Sequence, residues 1–248
     1  MFRRLITFIP ILLLLGSALL LFFINLAGAS DKSVLRKLYW SQATTRGISG
    51  APHSVTRWTM YNSCGVSNGE NVDCTSNSPA YPFSPKDNFG SSGSLPSSFT
   101  KNRDTYFYLS RFAYAFFLIG LVLNIVAILS VFVSCCLSDV ISGLISTLII
   151  SCALLFTLAA SCFITAVHVK GRHNFQKSGF DALLGVKLFA FSWTSVACLL
   201  LSLTIMPIIS GVTALKGRKR EHPDSEYEKI SPSITSSNSQ IPLDEPRV

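Results

Sequence analysis

A chain of 248 residues that is 49% apolar and only 14% charged has too few polar side chains to coat a soluble globule, and its apolar residues are bunched into long runs. The formal net charge of +8 excludes an acidic protein. Its basic residues flank the runs or sit in one loop instead of forming a single patch, so nucleic acid is not an expected partner.

Residues 1–4 carry Arg3 and Arg4 and are expected on the cytoplasmic side, where Lys and Arg in short flanks remain. The first span is expected over 5–29. Its apolar run, Leu5 to Ala27, covers the roughly 20 residues a helix needs to cross about 30 Å of hydrocarbon. The alternative is a cleaved signal peptide ending at Ala27-Gly28-Ala29. A run longer than the usual 7 to 15 residues, roughly, of such a segment favours a retained anchor.

Residues 30–105 form a long polar loop, RWTMYNSCGVSNGENVDC at its centre. Thr56 to Tyr61 is rich in β-formers, Asn68-Gly69 is a turn signal and Val72 begins a return leg, so a hairpin is expected with Cys64 and Cys74 on its two legs. A disulfide between them would stabilise so short a loop by about 2 to 3 kcal/mol; the alternative is two free thiols in a flexible segment. The tract SNSPAYPFSPKDNFGSSGSLPSSF has too many prolines and glycines for long regular structure. Its Tyr81, Phe83 and Phe89 either cover the hairpin, touch headgroups or form a partner-binding surface. The chain offers no good N-glycosylation acceptor.

The second span is expected over 106–135, with Asn124 deep inside it and read as an interhelical hydrogen bond. Cys135 and Cys136 end it, where juxtamembrane cysteines are often palmitoylated; two ordinary buried thiols are the alternative. After a turn at 136–139 the third span covers 140–167. There Ser142 and Ser146, and then Ala153, Thr157, Ser161 and Thr165, recur every fourth residue and give a face for close packing, within the chain or between copies. Cys152, Cys162 and Cys198 are read as packing residues. A second loop is expected over 168–187, and its His168 and His173 match no compact metal site with Cys162. The fourth span is expected over 188–215, kinked at Pro207 with Thr204 compensating the lost bond.

Residues 216–248 read as a disordered cytoplasmic tail. Its first residues, Lys216, Arg218, Lys219 and Arg220, are placed to contact anionic headgroups of the inner leaflet, each contributing about 1 kcal/mol. Ser225, Ser231, Ser233 and Ser236 are expected phosphorylation sites, whose added charge would oppose that contact.

The flanks disagree on orientation. Arg3, Arg4 and the KGRKR cluster place both termini in the cytoplasm, whereas Lys170, Arg172 and Lys177 make the second loop basic as well. Cys64 and Cys74 break the tie, because a disulfide persists on the oxidising side, and they put loop one outside.

Together the segments RWTMYNSC (Arg57 to Cys64) with Cys74 beyond it, PAYPFSPKDNFG (Pro79 to Gly90), YFYLSRFAYAF (Tyr106 to Phe116), VKGRHNF (Val169 to Phe175) and LGVKLFAFSW (Leu184 to Trp193) resemble the fungal Sur-seven/PalI family, four-span plasma-membrane proteins distantly similar to claudins. The resemblance implies that Trp58, Gly65, Pro79, Tyr81, Pro82 and Phe83 belong to a family motif. Met60 and Tyr61 stand where claudins carry a Gly-Leu-Trp element, so claudin-like sealing between cells is not implied. What is implied is a structural component of eisosome patches, linked with cortical eisosome proteins, actin, endocytosis and cell-wall deposition.

The expected fold is an all-α membrane protein, a four-transmembrane-helix bundle with a small disulfide-stapled, β-containing extracellular domain. The sequence holds no paired catalytic residues, phosphate loop or metal motif, and its spans lack ionisable residues at mid-depth. A non-catalytic scaffold without cofactor or metal, able to form homo-oligomers, is therefore expected, with a small channel or a lipid- or wall-modifying enzyme as the alternatives.

Overall fold

The computed structural model of the protein describes residues 2–30, 33–90, 94–137 and 140–221. Four long helices form the body: α1 (Phe2–Asn25), α4 (Arg103–Leu137), α5 (Val140–Lys177) and α6 (Val186–Glu221). Each is long and apolar enough to cross a membrane. They close a ring in which α1 packs on α4 and α6, and α5 packs on the same two. Phe8, Leu12, Leu19, Leu129, Leu148 and Leu155 point outward, as suits helices solvated by lipid.

At about 1.5 Å per residue, the 38 residues of α5 reach well past a hydrocarbon layer of about 30 Å. The second loop, expected from residue 168, is therefore helical as far as Lys177. α6 likewise includes residues 216–221, where a disordered tail was expected to begin. Charged residues end a hydrophobic run without ending a helix, since Lys, Arg and Gln are good helix formers. The side chains of Lys216, Arg218, Lys219 and Arg220, and that of Cys136, lie outside the described residues, as do Ser225, Ser231, Ser233 and Ser236 entirely.

The small-residue face of α5 is spent inside the chain. Ser146, Ala153, Thr157 and Ser161 are buried, and a methyl group added to Gly120 of α4 would come within 2.6 Å of Thr157 Oγ1. Most hydroxyls there donate to their own helix, Ser161 Oγ to the Thr157 carbonyl at 2.8 Å and Thr165 Oγ1 to that of Ser161 at 2.6 Å. Across α4 and α5, Ser130 Oγ and Ser146 Oγ lie 2.7 Å apart and Ser142 Oγ donates to Ser134 Oγ at 3.2 Å. The hydrogen bond expected of Asn124 is not formed: the residue is 0% exposed and neither side-chain polar atom has a partner. Depth along a span can be counted in sequence, but the atoms facing a given position belong to another helix. Thr204 Oγ1 donates to the Leu201 carbonyl at 2.8 Å, not to the Leu203 carbonyl that Pro207 leaves without a donor. Cys152 and Cys162 are exposed on the outside of α5, so they are not the packing residues expected; Cys198 is half-buried.

At one end of the bundle the loops build a five-stranded antiparallel sheet, order β4-β3-β2-β1-β5, from β1 (Ser41–Thr44), β2 (Val55–Trp58), β3 (Ser63–Ser67), β4 (Glu70–Val72) and β5 (Ala182–Leu184). Asn68-Gly69 makes the β3–β4 turn with φ of 51° and 77°, the left-handed pair that a two-residue hairpin loop requires. The expected first leg, Thr56 to Tyr61, is instead split. Val55–Trp58 pairs with β3, and Thr59 to Asn62 turns back, its Oγ1 donating to Asn62 Oδ1 at 2.8 Å. That local side-chain bond outweighs the β propensity of Met60 and Tyr61. A 3-10 turn (Ser33–Lys37) and two short helices, α2 (Pro85–Phe89) and α3 (Ser97–Lys101), complete this cap.

Candidate functional site

The cap holds the disulfide and family-motif residues that the sequence singled out. Cys64 on β3 is joined to Cys74, just beyond β4, with an Sγ–Sγ distance of 2.00 Å. The staple ties the end of the edge strand β4 back to its neighbour β3. Gly65 follows Cys64 because the His53 ring lies against that strand: a methyl group there would come within 2.9 Å of its Nδ1.

Trp58, 1% exposed, is the centre of the cap's core. Its ring meets Phe83 edge-on at 5.1 Å, and Phe89 and Phe175 each at 5.9 Å, while its Nε1 donates to Asn88 Oδ1 at 2.9 Å. Phe83 packs in turn on Tyr106 at 5.9 Å and on the His168 ring at 4.4 Å, and its edge lies against Gly171 so closely that a methyl group there would come within 2.5 Å. Of the other motif residues, Tyr81 is half-buried with its hydroxyl 3.2 Å from Ser63 Oγ, the Pro82 carbonyl accepts from Ser84 N at 3.0 Å, and Pro79 is exposed. Phe83 and Phe89 thus cover the sheet and offer no partner surface. Asp87 in α2 accepts both Nε and Nη2 of Arg103, at 2.9 to 3.1 Å, which clasps the cap to the start of α4. Burial pushes the Asp87 carboxyl up, but hydrogen bonds from Arg103 and Ser84 outweigh it and hold the group below its ordinary value.

Residues not assigned such a packing role from the sequence complete the arrangement. Trp40, 0% exposed, stacks on Phe117 at 6.0 Å and on His168 at 6.1 Å, and meets Phe189 edge-on at 5.2 Å. His168 Nδ1 lies 2.7 Å from Ser41 Oγ. A continuous path of rings therefore runs from α4 and α6 through α5 to the middle of the sheet. Met60 N donates to the Ala27 carbonyl at 3.1 Å and Asn62 Nδ2 to that of Gly28 at 2.9 Å, so the turn after β2 docks on the end of α1. Gly28, at φ +92°, lets it approach: a methyl group there would meet Thr59 Oγ1 at 2.0 Å. The signal available was the Ala27-Gly28-Ala29 triplet, whose small residues also serve close contact. Arg57, the motif's first residue, lies within the sheet at 6% exposure. Its Nε donates to Gln42 Oε1 at 2.8 Å and its Nη1 to the Gly69 carbonyl at 2.9 Å and Asn71 Oδ1 at 3.2 Å. Cys135 ends its span in the last turn of α4, half-buried and away from the cap.

A model of the SUR7/PalI family matches residues 6–205. The SUR7 family protein FMP45 of Saccharomyces cerevisiae is 40% identical over 94% of this chain and 75% of its own. The uncharacterized plasma membrane protein YNL194C of the same yeast is 41% identical over 81% of this chain and 67% of its own. Protein SUR7 of Candida albicans is 37% identical over 79% and 70%.

Proposed function

The chain belongs to the SUR7/PalI family, and from that premise we propose that it is a structural, non-catalytic component of plasma-membrane patches of the eisosome kind. In this reading it is a multi-pass plasma-membrane protein with α1 retained, both termini in the cytoplasm and the stapled cap outside. The observation that carries the reading is the shared core of cap and bundle: Trp58, Phe83, Phe175 and His168 lock the cap onto α5, giving a rigid surface suited to lateral assembly. On the inner face Lys216, Arg218, Lys219 and Arg220 meet anionic lipid, Cys135 and Cys136 take acyl chains, and Ser225, Ser231, Ser233 and Ser236 tune the contact by phosphorylation. Cortical eisosome proteins and further copies of the chain are the proposed partners, and support for endocytosis, cortical actin and wall deposition follows from holding them in place.

Imaging a fluorescently tagged full-length chain tests this directly. Stable cortical patches that recover slowly after bleaching are expected; a uniform, freely diffusing signal overturns the reading. Sidedness is tested by a membrane-impermeant thiol reagent on intact cells, with Cys64 and Cys74 labelled only after reduction.

A further inference from the structure

Where the edge of the sheet meets the start of α6 there is a cavity of about 240 Å³ whose walls include Lys37, Tyr39, Arg57, Gly185, Val186 and Lys187. Three of these side chains are cationic and none of the lining residues is a carboxylate. Arg57 is the unusual member. It is 6% exposed and lies over the Tyr39 ring at 4.1 Å, yet its hydrogen-bond acceptors are a glutamine, an asparagine and a backbone carbonyl, all neutral. Among the described residues it forms no ion pair. Glu70, the residue after Gly69, is shared between Arg36 at 3.4 Å and Lys37 at 3.5 Å. Burying a guanidinium without a counter-charge is costly, and a charge so placed is ordinarily paired with an anion.

The walls are also held in position. Gly185 N donates to the Trp40 carbonyl at 2.8 Å, and a methyl group on Gly185 would come within 1.7 Å of the Tyr39 carbonyl oxygen, so the start of α6 is fastened to the strand beside the cavity. Val186, 76% exposed, begins the apolar run of α6, which sets the cavity at the level where lipid headgroups meet a spanning helix. A volume below the roughly 300 Å³ of ordinary small-molecule pockets suits a headgroup better than a whole metabolite.

We propose that this cavity binds the phosphate of an anionic phospholipid headgroup in the leaflet on the cap side, with Arg57 as the buried anchor and Lys37 and Lys187 closing over it. It is distinct from the contact proposed for Lys216 to Arg220 at the other end of the bundle and does not depend on the microdomain reading. Guanidinium and ammonium groups together suit a phosphate better than a single carboxylate, because the excess positive charge matches its oxygens.

The test is a titration of the purified full-length chain in detergent with phosphatidylinositol, phosphatidylcholine or inorganic phosphate, read by thermal shift and by lipid retention in native mass spectrometry. Because Arg57→Gln removes part of the sheet's hydrogen bonding, the deciding variant is Lys37→Gln with Lys187→Gln, both exposed. The expected result is preferential retention of phosphatidylinositol, weakened roughly tenfold or more in that double variant and unchanged when Lys216, Arg218, Lys219 and Arg220 are replaced by alanine. Equal retention of phosphatidylcholine, an unaffected double variant, or loss only in the tail variant overturns the proposal. Inorganic phosphate binding as tightly as the lipid overturns the lipid assignment and points to a soluble phosphate ester.

Discussion

Gly28 combines a backbone angle of +92° with a neighbour that leaves no room for a side chain. Gly28→Ala is expected to lower the thermal stability of the purified protein, by about 1 to 2 kcal/mol for the left-handed backbone alone, with displacement of Thr59 adding to it. Gly16→Ala is the matched control, since nothing lies within 4 Å of the added methyl, and a melt in detergent should show no loss. Asp87 gives a dependence on pH. Its folded value is depressed, so the unfolded chain takes up the proton first as the medium is acidified. The clasp to Arg103 therefore stabilises the fold above about pH 4 and is lost as pH falls through the lower folded value. Melting the protein from neutral to acid pH should show this decline, and Asp87→Asn should flatten it. Cys64 could be picked out of the sequence by residue type and context, and Trp58 and Gly65 by the family resemblance; Gly28 could not, because the need for glycine there comes from Thr59, which is far away along the chain.

Among the elements, the β3–β4 hairpin is the part of the cap most fully written in local sequence. Asn68-Gly69 specifies the turn, and the cysteines fall where a cross-link closes it. Replacing both, Cys64→Ser with Cys74→Ser, is expected to cost about 2 to 3 kcal/mol. Limited proteolysis should then cut between Ser63 and Cys74 while circular dichroism keeps the helical signal. β5 is the opposite case. Ala182–Leu184 is too short to announce a strand, and it is one because β1 offers it an edge and Gln176 Nε2 bonds the Ala182 carbonyl at 3.0 Å. The long helices stand between these two. Their apolar stretches follow from hydropathy, but the extension of α5 to Lys177 and of α6 past residue 215 does not.

At the level of the whole molecule, the cap and the bundle share their core, with Phe175 of α5 packed on Trp58 at 5.9 Å and on Phe99 at 4.5 Å. Phe175→Ala is expected to cost about 3 to 5 kcal/mol. It should also split a single unfolding transition into two, the cap melting before the helices, as followed by tryptophan fluorescence and circular dichroism. The sequence by itself determined four apolar helices, a disulfide-bearing polar insert and membership of a family, because hydrophobic length, turn chemistry and cysteine placement act over a few residues or a single span. Only the tertiary structure decided that Trp40, His168 and Phe83 pack between cap and bundle, that Asn124 is buried without a partner, and that Arg57 and Lys187 line one cavity. Those arrangements depend on which side chains distant segments present to each other, and chain order does not carry that information in any local pattern.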